Sequence, residues 1–403
     1  MDAKRESSSG SGSGLTEADG MRLGYAIALL LFVVGCDLYV VAPLLPGIRE
    51  SLGVSVSGAG LLVTVFTAGY TIASPLIGSL TDRLGRRAVL YGGLIAFVLF
   101  EAVSAWAPDF AILLVARGIA GIAAAAITPT CYTIIGDAVP YGARGRVMSV
   151  ASVGFSVSSV GGVPLGLWLS EFWNWRGVLW ALTAATVAAA GILALALSRL
   201  PTLERAPESA DHGNAVADAR VILAGTGPVL AISFLAFGAL GLVYTYLVVD
   251  LGSVWHWSSG RIVTILFAYG LANVAGNLTF GRLGDRSGKI RAVRIGQAVE
   301  IAALLGLAGA SFEHWPWILI AALVIFAFGQ AYIPDLKALA SSITPELRGR
   351  SQAWNNAAMY GGMMVGSWVA SHGYPAIGLG GLSAVAAAAV AAGWVVATAA
   401  RRV

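Results

Sequence analysis

The chain has 403 residues, of which 57% are hydrophobic and only 11% are charged. A soluble domain carries about 25% charged residues, so this composition and a mean hydropathy of +0.79 exclude a soluble globular protein. The net charge of +4 arises from loops between apolar segments and does not indicate nucleic-acid binding.

Residues 1–21 contain a Ser–Gly repeat and are predicted to form a disordered cytoplasmic tail. Beyond them, apolar stretches recur at the length of about 20 residues that a helix needs to cross a bilayer. The sequence therefore predicts an all-α integral membrane protein with twelve transmembrane helices. These spans are predicted at residues 23–45, 59–80, 88–107, 110–135, 147–169, 177–198, 226–249, 260–281, 292–311, 316–338, 352–371 and 376–400.

Lys and Arg are distributed unevenly between the loops. They accumulate in the N-terminal tail and in every second loop, whereas the intervening loops contain only Arg49, Arg176 and Arg261. Cytoplasmic loops of membrane proteins are enriched in Lys and Arg. We therefore expect a multi-pass protein of the cell (inner) membrane with both termini in the cytoplasm.

One charged loop occurs twice in the chain. The sequence GSLTDRLGRR begins at Gly78, at the end of span 2, and the related sequence GRLGDRSGK begins at Gly281, 203 residues later, at the end of span 8. An offset close to half the chain length indicates a duplicated unit. The sequence thus predicts two six-helix bundles, at residues 22–198 and 226–403, joined by a cytoplasmic linker at residues 199–225.

Spans 2 and 5 each carry small residues at helical spacing. Residues three and four apart lie on one face of a helix, and small residues on such a face let membrane helices approach closely. Two interpretations follow: static packing, or a contact along which the two bundles rock during transport. The faces comprise Thr64, Thr67, Thr71, Ser74 and Gly78 in span 2, and Ser149, Ser152, Ser156, Ser159, Gly162 and Gly166 in span 5.

Ionisable residues within spans are costly and commonly mark ion or substrate pathways. Asp37 in span 1 and Arg117 in span 4 are predicted to lie at similar depth near the middle of the bilayer. They are candidates either for a proton-coupled site or for a structural ion pair between the two spans. Glu101 in span 3 and Glu300 in span 9 are weaker candidates for the same pathway.

Polar and aromatic residues within the spans are candidates for lining a substrate cavity. The sequence contains no P-loop, no H-E-x-x-H pattern and no G-x-S-x-G elbow, so neither ATP-driven transport nor hydrolysis is expected. We predict neither an enzyme nor a bound cofactor or metal. The cavity candidates are Tyr39, Thr128, Tyr132, Tyr244, Asn273, Asn277, Gln330 and Asn355.

The loop after span 2 resembles the signature loop of the major facilitator superfamily, and the repeat and the twelve spans extend this resemblance over essentially the whole chain. The resemblance implies that the loop latches the two halves together on the cytoplasmic side. The alternative is that its arginines only orient the protein in the membrane. The residues concerned are Gly78, Asp82, Arg83, Gly85, Arg86 and Arg87, with Asp285 and Arg286 in the second copy.

Three further motifs resemble those of the bacterial arabinose-efflux-permease-like group of twelve-helix drug:proton antiporters. Arg117-x-x-x-Gly121 is similar to a span 4 motif associated with proton transfer, and Asp37 is similar to an acidic residue of span 1. A third motif in span 5 resembles the antiporter motif. Its residues are Gly161, Gly162, Pro164 and Gly166.

These observations predict a monomeric secondary transporter that exports a small amphipathic organic compound or drug in exchange for protons. In this hypothesis Asp37 exchanges the proton and Arg117 tunes its proton affinity. The alternatives are a facilitator or proton symporter for a sugar, nucleoside or similar metabolite, and, from other classes, a membrane receptor or enzyme. The expected partners are the substrate, protons and the lipid bilayer, and no nucleic acid.

Overall fold

A computed structural model describes residues 17–198, 215–343 and 347–399, and every regular element within these ranges is helical. The predicted tail and linker lie largely outside the described residues. The first half comprises α1 (Glu17–Leu52), α2 (Val56–Leu84), α3 (Arg86–Trp106), α4 (Phe110–Ala138), α5 (Tyr141–Val157), α6 (Val163–Phe172) and α7 (Trp175–Ser198). The second half comprises α8 (Ala215–Ser253), α9 (Ser259–Ser287), α10 (Lys289–Glu313), α11 (Pro316–Gly329), α12 (Ile333–Ile343) and α13 (Arg348–Ala399).

The thirteen helices make twelve membrane crossings within the described residues, because two crossings are each built from two helices and two further crossings are joined in one long helix. A π-helical turn at Ser158–Gly162 joins α5 and α6 into one crossing that bends by 46°. A 3₁₀ turn at Gln330–Tyr332 joins α11 and α12. The long α13 is two helices on either side of Gly378, whose φ of 60° favours glycine. The predicted fold class is confirmed.

Two helices begin earlier than the sequence predicts. The seventh crossing begins at Ala215, so residues 215–225 of the predicted linker are helical. This segment contains Ala, Val, Ile and Leu, and its chain continues directly into the apolar span without a helix-breaking turn. Likewise α1 begins at Glu17, which makes the end of the predicted tail helical.

The duplicated loop forms the same backbone turn in both halves. Gly85 separates α2 from α3 with a φ of 86°, and Gly288 separates α9 from α10 with a φ of 92°. Only glycine adopts such dihedrals without strain. We call the membrane face at which these two turns lie the basic face, and the other the opposite face.

The small-residue face of α2 lies at the boundary between the two halves, against the first part of α13. The Thr64 and Ser367 hydroxyls are 2.9 Å apart, and Ser74 Oγ donates to the carbonyl of Ala353 at 3.2 Å. Gly162 and Gly166 of the corresponding face of α5 and α6 instead approach α1 within the first half, since a Cβ on Gly162 would collide with Cys36 and one on Gly166 with Val40. Small residues thus serve both packing modes in one chain.

Candidate functional site

Three charged side chains from three helices meet in the interior of the first half. Arg117 of α4 donates from Nη1 to Asp37 Oδ1 of α1 at 2.7 Å and from Nη2 to Asp37 Oδ2 at 3.0 Å. Nη1 also donates to Glu101 Oε1 of α3 at 2.6 Å. The side chains of Asp37, Glu101 and Arg117 are 1%, 0% and 2% exposed. We call these three residues the charged triad.

The triad holds two carboxylates and one guanidinium, so one proton is needed to make it neutral. Both carboxylate oxygens of Asp37 accept hydrogen bonds from Arg117. In Glu101, in contrast, Oε2 is buried and has no hydrogen-bond partner. The guanidinium also lies over the Phe66 ring, with 4.6 Å from Cζ to the ring centroid. An unbalanced buried charge costs several kcal/mol, which favours binding of one proton here.

Glycines fix the position of the helix that carries Asp37. A Cβ on Gly162 would meet Cys36, the residue before Asp37, and a Cβ on Gly166 would meet Val40 in the next turn. Pro164 lies in the first turn of α6, directly after the π-helical turn. Gly161, in contrast, has no heavy atom within 4 Å of its would-be Cβ. Two of the motif's glycines therefore set how closely α1 approaches α6.

A group of tyrosines lies at the boundary between the halves, and one of them is on the same helix as Asp37. Tyr39, two residues after Asp37, accepts a hydrogen bond at its carbonyl from the Tyr244 hydroxyl at 3.4 Å, and the two rings are 5.8 Å apart. The Tyr244 ring is 6.3 Å from that of Tyr269. Nearby, Tyr70 of α2 stacks on Tyr360 of α13 at 3.6 Å. We call these residues the tyrosine cluster: Tyr39, Tyr70, Tyr244, Tyr269 and Tyr360.

The other predicted cavity residues fall into two groups, of which the first comprises Gln330, Thr128 and Tyr132. Gln330 accepts from Tyr269 at 3.1 Å, Thr128 bonds with Tyr70, and Tyr132 bonds with Ser152 at 3.1 Å.

The three asparagines instead make hydrogen bonds within the second half. Asn273 donates to the Ala327 carbonyl at 3.2 Å, Asn277 donates to the carbonyl and side-chain oxygens of Asn273 at 3.0 Å, and Asn355 accepts from Ser233 at 2.8 Å. They form no described contact with the tyrosine cluster.

Arginines of the duplicated loop contact groups of their own half. Arg86 forms an ion pair with Asp137 at the end of α4, and Arg87 donates to the Leu197 carbonyl at 3.0 Å. In the second copy, Lys289 Nζ is 3.5 Å from Asp335 Oδ1 of α12.

The remaining latch candidates have different surroundings. Arg83, Asp285 and Arg286 are exposed at the basic face. The side-chain surroundings of Gly78 and Asp82 lie outside the described part of the structure.

Several residues of the site were missed or given little weight by sequence reasoning. Glu101 is a single acid in an apolar run, and nothing in its immediate sequence indicates that it contacts Arg117. Tyr70 lies on the same face of α2 as Thr67 and Ser74, at steps of three and four, so this pattern could have identified it. Tyr269 and Tyr360 carry no comparable signal.

Two six-helix halves, with a buried charged triad and aromatic residues at their boundary, define a multi-pass membrane transporter. The model of the Major Facilitator Superfamily matches residues 27–252 and 229–403. The chain belongs to this family. The family resemblance inferred from the duplicated loop is therefore confirmed.

Relatives within the family include proteins of similar length. The uncharacterized MFS-type transporter YtbD of Bacillus subtilis (strain 168) is 29% identical over 383 residues, covering 92% of this chain and 94% of the relative. A chloramphenicol resistance protein of Streptomyces lividans is 31% identical over 302 residues, covering 72% and 71%.

Solved structures share the fold at low sequence identity. The human organic anion transporter MFSD10 (TETRAN) superposes with a TM-score of 0.73 at 20% identity and covers 94% of this chain and 99% of its own. A D-xylose–proton symporter has a TM-score of 0.73 at 17% identity, with coverage of 93% and 97%. At these identities the likeness establishes the architecture alone.

Proposed function

We propose that the protein is a proton-driven exporter of small amphipathic organic compounds. It resides as a monomer in the inner membrane with both termini in the cytoplasm, an orientation supported by the excess of Lys and Arg in every second loop. Protons entering from the outside exchange for a compound leaving the cell.

The observation that carries this proposal is the excess carboxylate of the charged triad. Arg117 engages both oxygens of Asp37 and one oxygen of Glu101, so the triad binds one proton readily and releases it when its surroundings change. The sequence assigned this proton to Asp37 alone. With Glu101 in contact, Asp37 and Glu101 share it, and Glu101 Oε2 is the oxygen without another partner.

The tyrosine cluster is the proposed substrate site. Its members come from α1 and α2 of the first half and from α8, α9 and α13 of the second. Tyrosines offer flat apolar faces together with hydroxyl groups, which suits compounds with aromatic or apolar bodies and a few polar atoms. The relative that confers chloramphenicol resistance supports export of a drug-like compound.

Coupling follows from the position of Tyr39 on the same helix as Asp37. A compound that separates the Tyr39–Tyr244 contact displaces the helix turn that also carries the carboxylate. In the proposed cycle, this displacement weakens the Asp37–Arg117 contact and changes the proton affinity of the triad. Protonation and substrate occupancy thereby exclude each other, as antiport requires.

Alternating access in this proposal is a rocking of one half against the other. At the opposite face, the Tyr246 hydroxyl donates to the carbonyl of Val56 across the boundary at 2.8 Å. The duplicated loops are the proposed latch at the basic face. In the present conformation Arg86 and Lys289 hold partners of their own half, and we propose that the loop around Asp82 engages the second half when that face closes.

Transport by the purified protein in liposomes tests the proposal. The panel comprises chloramphenicol, a cationic amphipathic dye, D-xylose and a nucleoside, each with and without an imposed pH gradient. We expect the gradient to drive uphill movement of chloramphenicol or the dye against the proton flow, and the variant Asp37→Asn to lose it.

Other outcomes have distinct meanings. Flux of xylose or nucleoside that ignores the pH gradient identifies a facilitator. Substrate movement in the same direction as the protons identifies a symporter. Gradient-driven export retained in Asp37→Asn would eliminate Asp37 as an essential proton carrier.

A further inference from the structure

A second buried carboxyl group lies in the other half of the molecule, away from the charged triad. Glu300 of α10 is fully buried, at 0% exposure. Its Oε2 accepts a hydrogen bond from the Tyr332 hydroxyl at 2.8 Å. Its Oε1 is also buried, and the Gln330 side chain lies within hydrogen-bonding reach of the carboxyl group. The proposed transport cycle leaves this group unexplained.

Among the described residues, the elements around Glu300 supply no cation to it. Neither α11, residues 316–329, nor the last part of α13, residues 379–399, contains an ionisable side chain. On α9 the nearby titratable group is the neutral hydroxyl of Tyr269. On α10 itself, the Arg294 guanidinium lies over the Trp394 ring, at 5.8 Å.

The charged residues of α12 also form no described ion pair with Glu300. Asp335 faces Lys289 at 3.5 Å, and Lys337 lies five residues, more than one helical turn, beyond Tyr332. A carboxylate this deep in a protein without a cation is strongly disfavoured, whereas a neutral carboxylic acid is tolerated. The surroundings therefore favour the protonated form of Glu300.

Two glutamines flank the Glu300 carboxyl group. The Gln330 side chain lies within hydrogen-bonding reach of it, and Gln297 lies one turn before Glu300 on α10. A neutral carboxylic acid can both donate to and accept from such amide groups, whereas a carboxylate can only accept. These neighbours therefore suit a group that gains and loses a proton.

A connected set of side chains runs from Glu300 to the boundary between the halves. Gln330 accepts from the Tyr269 hydroxyl at 3.1 Å, and Tyr269 belongs to the tyrosine cluster, with its ring 6.3 Å from that of Tyr244. Glu300 is thus buried within the second half but linked by side-chain contacts to the proposed substrate site. A change at that site can reach it through Tyr269 and Gln330.

The internal repeat places the two acids on comparable positions of their helices. Glu101 lies 15 residues after Arg86, and Glu300 lies 11 residues after the equivalent Lys289. The difference of four residues is about one helical turn, so both acids occupy the same face of the repeated helix. In the first half, the guanidinium of Arg117 donates a hydrogen bond to the acid, whereas in the second half the donor is the neutral hydroxyl of Tyr332.

We propose that Glu300 is a second proton-binding site, separate from the charged triad, which holds a proton in this conformation and exchanges it during transport. The presence of the proton can be tested without reference to any substrate. Its use in transport rests on the proposed proton-coupled function. Two separate measurements therefore test the presence of the proton on Glu300 and its use in transport.

Infrared spectroscopy of the reconstituted protein tests the proton directly. We expect the C=O stretching band of a protonated buried carboxyl to disappear in Glu300→Gln. Glu313→Gln is the matched control because Glu313 lies on the same helix but is exposed, and we expect it to leave the band unchanged. In Tyr332→Phe, which keeps the acid but removes its hydrogen-bond donor, we expect the band to persist at a shifted frequency.

A band that is unaffected by both Glu300→Gln and Tyr332→Phe would overturn the proposal. If Glu300→Gln does not fold, the spectrum of Tyr332→Phe alone still tests the proposal. In liposomes with chloramphenicol or the dye as probe, we expect Glu300→Gln to lower the number of protons exchanged per probe molecule by one. An unchanged ratio would refute the role in transport, whereas loss of the band in a protein without proton-driven flux would refute only the proposed function.

Discussion

At the scale of single residues, the decisive feature is one guanidinium serving two buried carboxylates. Arg117 lies within 3.0 Å of Asp37 and within 2.6 Å of Glu101. Sequence analysis identified Asp37 and Arg117 because charges in apolar helices are rare. It could not assign Glu101 to the same site, because the contact depends on how α1, α3 and α4 pack, and local sequence does not encode that arrangement.

We expect Arg117→Gln to destabilise the protein by about 3–5 kcal/mol, since it leaves buried carboxylates without their cation. Adding Asp37→Asn and Glu101→Gln should recover most of this loss, because the uncompensated charges are then absent. The loss should also shrink at low pH, where the carboxyl groups of the single variant become protonated. Thermal unfolding in detergent measures all three effects.

Equal unfolding temperatures for the single and triple variants would show that the carboxylates do not require Arg117. A loss that grows as the pH falls would have the wrong sign for this account. Either result would contradict the inferred charge imbalance of the triad, on which the proposed proton coupling is based.

At the scale of helices, glycine positions decide how closely the element bearing Asp37 approaches its neighbour. The span 5 motif was recognised from its sequence, yet its two adjacent glycines have different surroundings. Gly162 faces Cys36, whereas Gly161 faces open space. Helical spacing alone predicts which residues share a face, but it does not predict which helix they contact. The sequence left open whether this face lies at the boundary between the halves; the structure places Gly162 against α1.

We therefore expect Gly162→Ala to displace α1 and to destabilise the protein by about 1–3 kcal/mol, the usual cost of overpacking. Gly161→Ala is the matched control, one residue away in the same motif and with room for a methyl group. We expect it to be neutral or slightly stabilising, because alanine favours helices more than glycine does. Thermal unfolding and pH-driven flux of the two variants make the comparison.

Similar losses in both alanine variants would show that the motif tolerates no side chain for reasons unrelated to the contact with Cys36. Normal stability and flux in Gly162→Ala would show that the close approach of α1 is not required.

At the scale of the whole molecule, most of the architecture could be predicted because the bilayer restricts the choices. The number of crossings and the duplication followed from apolar length and from the repeated glycines that form the turns at Gly85 and Gly288. The helical start at Ala215 was harder to predict, because a segment of mixed polarity next to a span can either continue the helix of that span or end it. The tyrosine cluster, assembled from five helices, could be predicted only in part.

The contact between Thr64 and Ser367 tests whether the halves separate during transport. Their hydroxyls are 2.9 Å apart across the boundary, so we expect the cysteine pair Thr64→Cys and Ser367→Cys to cross-link under oxidation. The cross-link should stop transport in liposomes, and a reductant should restore it. The single cysteine variants, which cannot bridge the halves, should transport under both conditions, and full transport by the cross-linked protein would contradict a rocking movement at this contact.

The most direct test compares uphill transport with exchange in the same liposomes, using the Asp37→Asn, Glu101→Gln double variant and a probe that the wild-type protein carries. Uphill transport driven by a pH gradient requires the triad to bind and release protons, whereas exchange of labelled for unlabelled probe requires only movement of the halves. We predict that the double variant loses uphill transport and retains exchange. Uphill transport that survives in the double variant would contradict the account, and loss of both activities would show that the triad supports the structure without coupling it to protons.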